Sequence, residues 1–117
     1  MQALRPLTPE LIAQTLEKRV DRVVFAPISR HGFTLPTSYK DNKPENYLMT
    51  IRSSDHESVQ KITLIHETIH VINNHRGFLL ESGDHERVER LANEFCAKHP
   101  EYVDSLYQSH GPAISRR

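Results

Sequence analysis

The chain reads as a small α+β domain: an N-terminal helix, a short, mostly antiparallel sheet of about three strands, then a long helix packed on a following one. Three observations predict it. Ile12, Leu16 and Val20 recur at helical spacing near the start. Three short runs of β character follow: Val23-Val24-Phe25-Ala26, Gly32-Phe33-Thr34-Leu35 and Tyr47-Leu48-Met49-Thr50-Ile51. Helical spacing then returns twice, over Val59, Ile62, Ile65, Ile69 and Ile72 and over Val88, Leu91 and Phe95.

At 117 residues the natural count is one domain, expected over 1–108 with 109–117 a flexible tail and no appended sensing or DNA-binding unit. Lysine plus arginine equals aspartate plus glutamate at 15 each, so no net field favours nucleic acid, an acidic substrate or an anionic membrane. The lone Cys96 excludes an internal disulfide framework and suits a reducing compartment. Met1 to Glu10 lacks an apolar leader core, and no run reaches transmembrane length, so a cytoplasmic location is expected.

Thr8-Pro9-Glu10 opens the first helix with a hydroxyl cap, proline at the first helical position and an acid near the positive end of the dipole. Its stripe runs to about Arg22. Proline ends the first two strands at Pro27 and Pro36, and the Pro-, Lys-, Asp- and Asn-rich residues 36 to 46 read as a mobile loop. Tyr47, Met49 and Ile51 alternate against Leu48 and Thr50 in the clearest strand. Ser54-Asp55-His56-Glu57 has the form of a capping box, starting the long helix at Ser54, and Asn73-Asn74 with Gly77 stops it. After the apolar connection Phe78-Leu79-Leu80, Asp84 is the expected cap of the next helix, which ends near Lys98-His99-Pro100. Glu101 to Gln108 adds one or two turns.

The long helix contains His66-Glu67-Thr68-Ile69-His70, an H-E-x-x-H pattern. Positions i and i+4 share a helix face, so both imidazoles can reach one point. That point suits Zn²⁺, which takes neutral imidazole at about 2.0–2.1 Å and needs further ligands for a tetrahedron. Glu67 lies about 100° around the helix, where it misses the ion but reaches a water on it, the place of a general base. Eight histidines make a chance match a real possibility, and context must decide. The following helix offers Glu86, Glu89 and Glu94 as a third ligand. Glu89 is favoured over Glu86 because Ala92, Asn93 and Cys96 beside it are small or polar and permit close helix approach; Glu94 is discounted because it turns away from that side.

The segment from Tyr47 to Cys96 resembles the ImmA/IrrE family of zinc metallopeptidases. That family shows a strand, a polar turn, a helix with H-E-x-x-H, then a helix carrying E-x-x-A-N-x-F-A; here these are Tyr47–Ile51, Ser53-Ser54, His66–His70 and Glu89-Arg90-Leu91-Ala92-Asn93-Glu94-Phe95-Cys96. Cys96 stands where the family has a small alanine, and Ala97-Lys98-His99-Pro100 is more polar than the family's continuation. The resemblance implies a zincin-like fold, zinc held by His66, His70 and Glu89, and Glu67 as catalytic base. It further implies a protein or peptide substrate, with a transcriptional repressor the preferred type.

The oxyanion-stabilising group is not identified by the sequence; His75, His85, Tyr47 and Tyr102 are the candidates. Histidines 31, 56, 85, 99 and 110 read as surface residues, and Cys96 as an inert core thiol. Two other functions compete with the peptidase. One is a non-catalytic metal-binding interaction module of the same fold, against which the presence of Glu67 argues. The other is a metallohydrolase of a non-peptide amide, which would use the same water activation.

Overall fold

The computed structural model describes residues 7–76 and 85–110. Its elements run α1 (Pro9–Arg19), β1 (Val20–Ala26), β2 (Gly32–Lys40), β3 (Lys43–Arg52), α2 (Glu57–Arg76), α3 (His85–Lys98) and α4 (Pro100–His110), an α+β arrangement. Helix α4 takes Ser109 and His110 from the expected 109–117 tail, while the expected Asp84 cap, the Phe78-Leu79-Leu80 connection and residues 111–117 lie outside the described residues.

Helix α1 begins as its sequence dictates, with the Thr8 hydroxyl accepting from the Leu11 amide at 3.2 Å and Pro9 in the first turn. It ends at Arg19, three residues earlier than its apolar stripe suggests, because Val20 turns extended and starts β1. Val20 remains buried, so one side chain serves the stripe while its backbone serves the sheet.

The sheet departs furthest from expectation. Its order is β1-β3-β2, with β1 parallel to β3 and β2 antiparallel to β3, so it is mixed rather than mostly antiparallel. Residues 36 to 46 are no loop. Strand β2 runs through Pro36 to Lys40, and β3 returns from Lys43. Asp41 and Asn42 carry φ of 54° and 65°, the left-handed pair that a two-residue hairpin turn requires and that Asp and Asn tolerate best after glycine. Among the described residues β2 lies at an edge of the sheet, where a proline within a strand is tolerated.

Central strand β3 buries Tyr47, Met49 and Ile51 against the helices, the alternation read from the sequence. Helix α2 supplies Leu64, Ile65, Ile69, Val71 and Ile72 to the same core, and α1, α3 and α4 close it with Ile12, Val88 and Val103. α2 starts at Glu57, not Ser54. The cap is His56, whose Nδ1 accepts the Ser58 amide at 3.1 Å and whose carbonyl accepts the amides of Val59 and Gln60 at 3.0 Å. Ser54 instead sits in the turn leaving β3. Gln60 ties the end of the sheet to two helices: its amide donates to the carbonyls of Arg52 and Ser53, and its carbonyl accepts the Tyr107 hydroxyl. Among the described residues no helix is long and apolar enough to cross a membrane.

Candidate metal centre

His66 and His70 lie on the flank of α2 that leaves the core beside Ile65 and Ile69, both fully buried. One helical turn brings their Nε2 atoms to 3.1 Å. Two nitrogens at that spacing can each reach an ion at about 2.0–2.1 Å with an angle near 100° between them, close to a tetrahedral edge. The same separation suits an N–H···N hydrogen bond, which holds the pair together when a single proton is shared. With Glu67 they form a group of potential ligand atoms lying within 4.8 Å of one another. The two imidazoles fit zinc chemistry, and the Glu67 carboxyl beside them stands where it could meet a water on the ion.

Glu89 lines the same cleft but stands outside that group. Its Oε1 lies 3.1 Å from Nδ1 of His66, the nitrogen turned away from His70. A carboxylate there fixes the ring's tautomer and direction. The α3 face behind it matches the sequence reading in part: Ala92 is fully buried and Val88 and Phe95 nearly so, whereas Asn93 is exposed and donates back to the Glu89 carbonyl at 2.8 Å. Glu86 and Glu94 are exposed.

Glu67 is the buried member, 7% exposed. Burial pushes its carboxyl up to about 7, against a hydrogen bond from the Thr34 hydroxyl at 3.4 Å and the positive charge of Arg30. The three groups open into a cleft of about 690 Å³ between α2 and the start of β2, with Arg30, His31 and Phe33 on the sheet side and Val59 and Ile62 on the helix side. At Gly32 the cleft wall packs closely against α2 and β3. A Cβ there would lie 2.6 Å from Thr63 Cγ2 and 2.9 Å from the Thr50 carbonyl oxygen. Gly32→Ala is therefore expected to cost about 1–3 kcal/mol through overpacking. Urea unfolding checks this; an unchanged midpoint would show that β2 and α2 can separate freely.

Other sequence candidates fall elsewhere. Tyr47 is in the core, its hydroxyl without a hydrogen-bond partner among the described residues, and Tyr102 donates to the Pro9 carbonyl at 2.7 Å; neither lines the cleft. The side chains of His75 and His85 lie outside the described residues. Cys96 is half-buried and burial pushes its thiol up to about 11, as an inert packing residue requires. The surface reading of the remaining histidines holds only in part. His99 packs on Phe95 with ring centroids 4.8 Å apart, and burial lowers the His110 pKa. His31 is exposed but fixed at the cleft rim. Sequence reasoning missed Arg30, His31 and Thr34 as cleft residues; the one local signal was Gly32, a glycine inside a strand pattern that marks a close backbone approach. No family model, curated protein or solved structure matches this chain.

Proposed function

We propose that this protein is a zinc-dependent endopeptidase of zincin-like fold, with His66, His70 and Glu89 holding the metal and Glu67 as general base. The observation that supports it most is the meeting of two imidazole Nε2 atoms at 3.1 Å beside a buried carboxyl, at the floor of an open cleft. A zinc ion held there would supply a Lewis acid that polarises a carbonyl and acidifies a water. Glu67 then takes a proton from the attacking water and delivers it to the leaving nitrogen. Its burial beside the imidazole pair places a proton acceptor where that transfer needs one. Thr34 donates a hydrogen bond to the carboxyl at 3.4 Å, and Phe33, Val59 and Ile62 give the cleft an apolar side. The preferred substrate, a regulatory protein such as a transcriptional repressor, and the cytoplasmic location follow from the family resemblance and the single cysteine.

Metal analysis after dialysis against buffered zinc, run beside a peptide-cleavage assay, tests the reading. Wild type is expected to hold close to one zinc and to cleave; a protein that holds none at micromolar free zinc would end the proposal. Glu89→Ala separates the two things its carboxylate can do. Loss of a partner that only orients His66 weakens zinc binding by about 10–100-fold. Loss of a ligand removes retention altogether. We expect loss of retention, and undiminished affinity in Glu89→Ala would take Glu89 out of the centre.

A further inference from the structure

Across the cleft from the imidazole pair, the loop between β1 and β2 ends in a histidine that is held far more firmly than its exposure would suggest. The His31 side chain is 63% exposed. Its Nδ1 nevertheless lies 2.8 Å from Oδ2 of Asp55, and Asp55 is in turn gripped by Arg52, whose Nε donates to Oδ1 at 2.9 Å. Arg52 also fixes the loop itself: its Nη1 donates to the Ser29 carbonyl at 3.0 Å, and its backbone amide donates to the His31 carbonyl at 2.8 Å. The Asp55 side chain is only 11% exposed, and its pKa is lowered chiefly by the His31 hydrogen bond and then by Arg52.

A carboxylate oxygen at 2.8 Å from Nδ1 requires a proton on that nitrogen. The neighbouring Arg52 Nη2, at 3.1 Å, can only donate, so it cannot replace the carboxylate as acceptor of that proton. The ring is thereby fixed by one edge, and Nε2 is left as the atom to meet a ligand in the cleft that His31 lines. A loop staple would need only Arg52 and Asp55. The histidine adds a firmly held ring on the rim of the cleft that Glu67 also lines.

We propose that His31 is the residue that binds the developing oxyanion of the substrate, donating from Nε2, with Asp55 and Arg52 as its positioning residues. The inference rests on the peptidase reading and supplies the group that reading lacks. No bond is made or broken by His31 in this role: it lends a hydrogen bond to oxygen, while Glu67 handles the transferred proton. Donation from Nε2 requires a proton on that nitrogen as well as on Nδ1, and the Asp55 carboxylate at 2.8 Å would offset the added charge.

The test compares wild type, His31→Ala, His31→Gln and Asp55→Asn, all zinc-loaded. Each is titrated with the phosphinic pseudodipeptide Phe-ψ[PO₂CH₂]-Ala, a tetrahedral anion, and with acetohydroxamate, which addresses the metal alone. His31→Ala is expected to weaken the phosphinate by about 10²-fold, the loss typical of one oxyanion donor. Acetohydroxamate affinity and zinc content should stay as in wild type. His31→Gln, which keeps an N–H, should recover part of the loss, and Asp55→Asn should fall between. In the metal-free protein, long-range ¹H–¹⁵N spectra should show a protonated, bonded Nδ1 at His31 that is lost in Asp55→Asn. Equal phosphinate binding by His31→Ala and wild type, or a freely exchanging His31 tautomer, overturns the inference while zinc binding leaves the peptidase reading standing. Absence of zinc from the wild type overturns both.

Discussion

Glu67→Gln is expected to keep its zinc and lose hydrolysis by about 10²–10⁴-fold, the share a positioned proton acceptor contributes. The amide matches the carboxylate in shape but cannot take a proton. Because the side chain is buried against Thr34 and Gly32, substitution by an isostere leaves the cleft wall in place. Zinc content and cleavage measured on the same preparation check this; wild-type turnover by Glu67→Gln would remove the mechanism. The same variant has a second, independent signature in metal-free protein. The folded carboxyl titrates at about 7, above its ordinary 4.5, so the folded state holds more protons than the unfolded one between these values. Stability must therefore fall as pH rises through that window, by roughly 3 kcal/mol in all, and stay low above it. Gln carries no such charge. In EDTA, Glu67→Gln should match wild type below pH 4.5 and be the more stable of the two at pH 8. Parallel stability curves across that range would show that the carboxyl is not desolvated.

Ile69→Ala is expected to bring the metal-free fold close to its limit. Ile69 is wholly buried and sits between the two histidines in sequence but on the core side of α2. Truncating it should cost about 2–5 kcal/mol, transfer and cavity terms together. Total stability of a domain this size is about 5–15 kcal/mol, so a sizeable unfolded fraction is expected in EDTA at moderate urea. Zinc that binds only the folded chain returns about 4 kcal/mol at a thousandfold excess over its dissociation constant. The urea midpoint of Ile69→Ala should thus rise on adding zinc, with little change in slope. A midpoint that ignores zinc in both wild type and Ile69→Ala would mean that the imidazole pair does not bind it.

The parts that were legible share a cause. Thr8 capping α1, the Tyr47-Met49-Ile51 face of β3 and the core face of α2 all follow from periodicities within one element. The misread parts involve partners distant in sequence or signals that mimic others. The serine and glutamate at 54 and 57 look like a capping box, yet Ser54 is occupied in the turn leaving β3 and His56 takes the cap. Pro36 looks like a strand end, yet β2 is an edge strand and accommodates it.

By itself the sequence determined that His66 and His70 would meet, because four residues along an α-helix make one turn whatever surrounds it. It also determined that an acid would lie beside them and that α3 would present Glu89 on a small-residue face. Tertiary structure alone decided what stands opposite. Only the parallel pairing of β1 with β3 carries the intervening loop across the end of the sheet, where Arg52 and Asp55 seize His31 and where Thr34 reaches Glu67 across 33 positions of chain. Tertiary structure also chose the edge of His66 that Glu89 meets. Helical spacing is fixed by local covalent geometry, whereas strand order and cleft walls depend on long-range contacts whose partners no short stretch of sequence names.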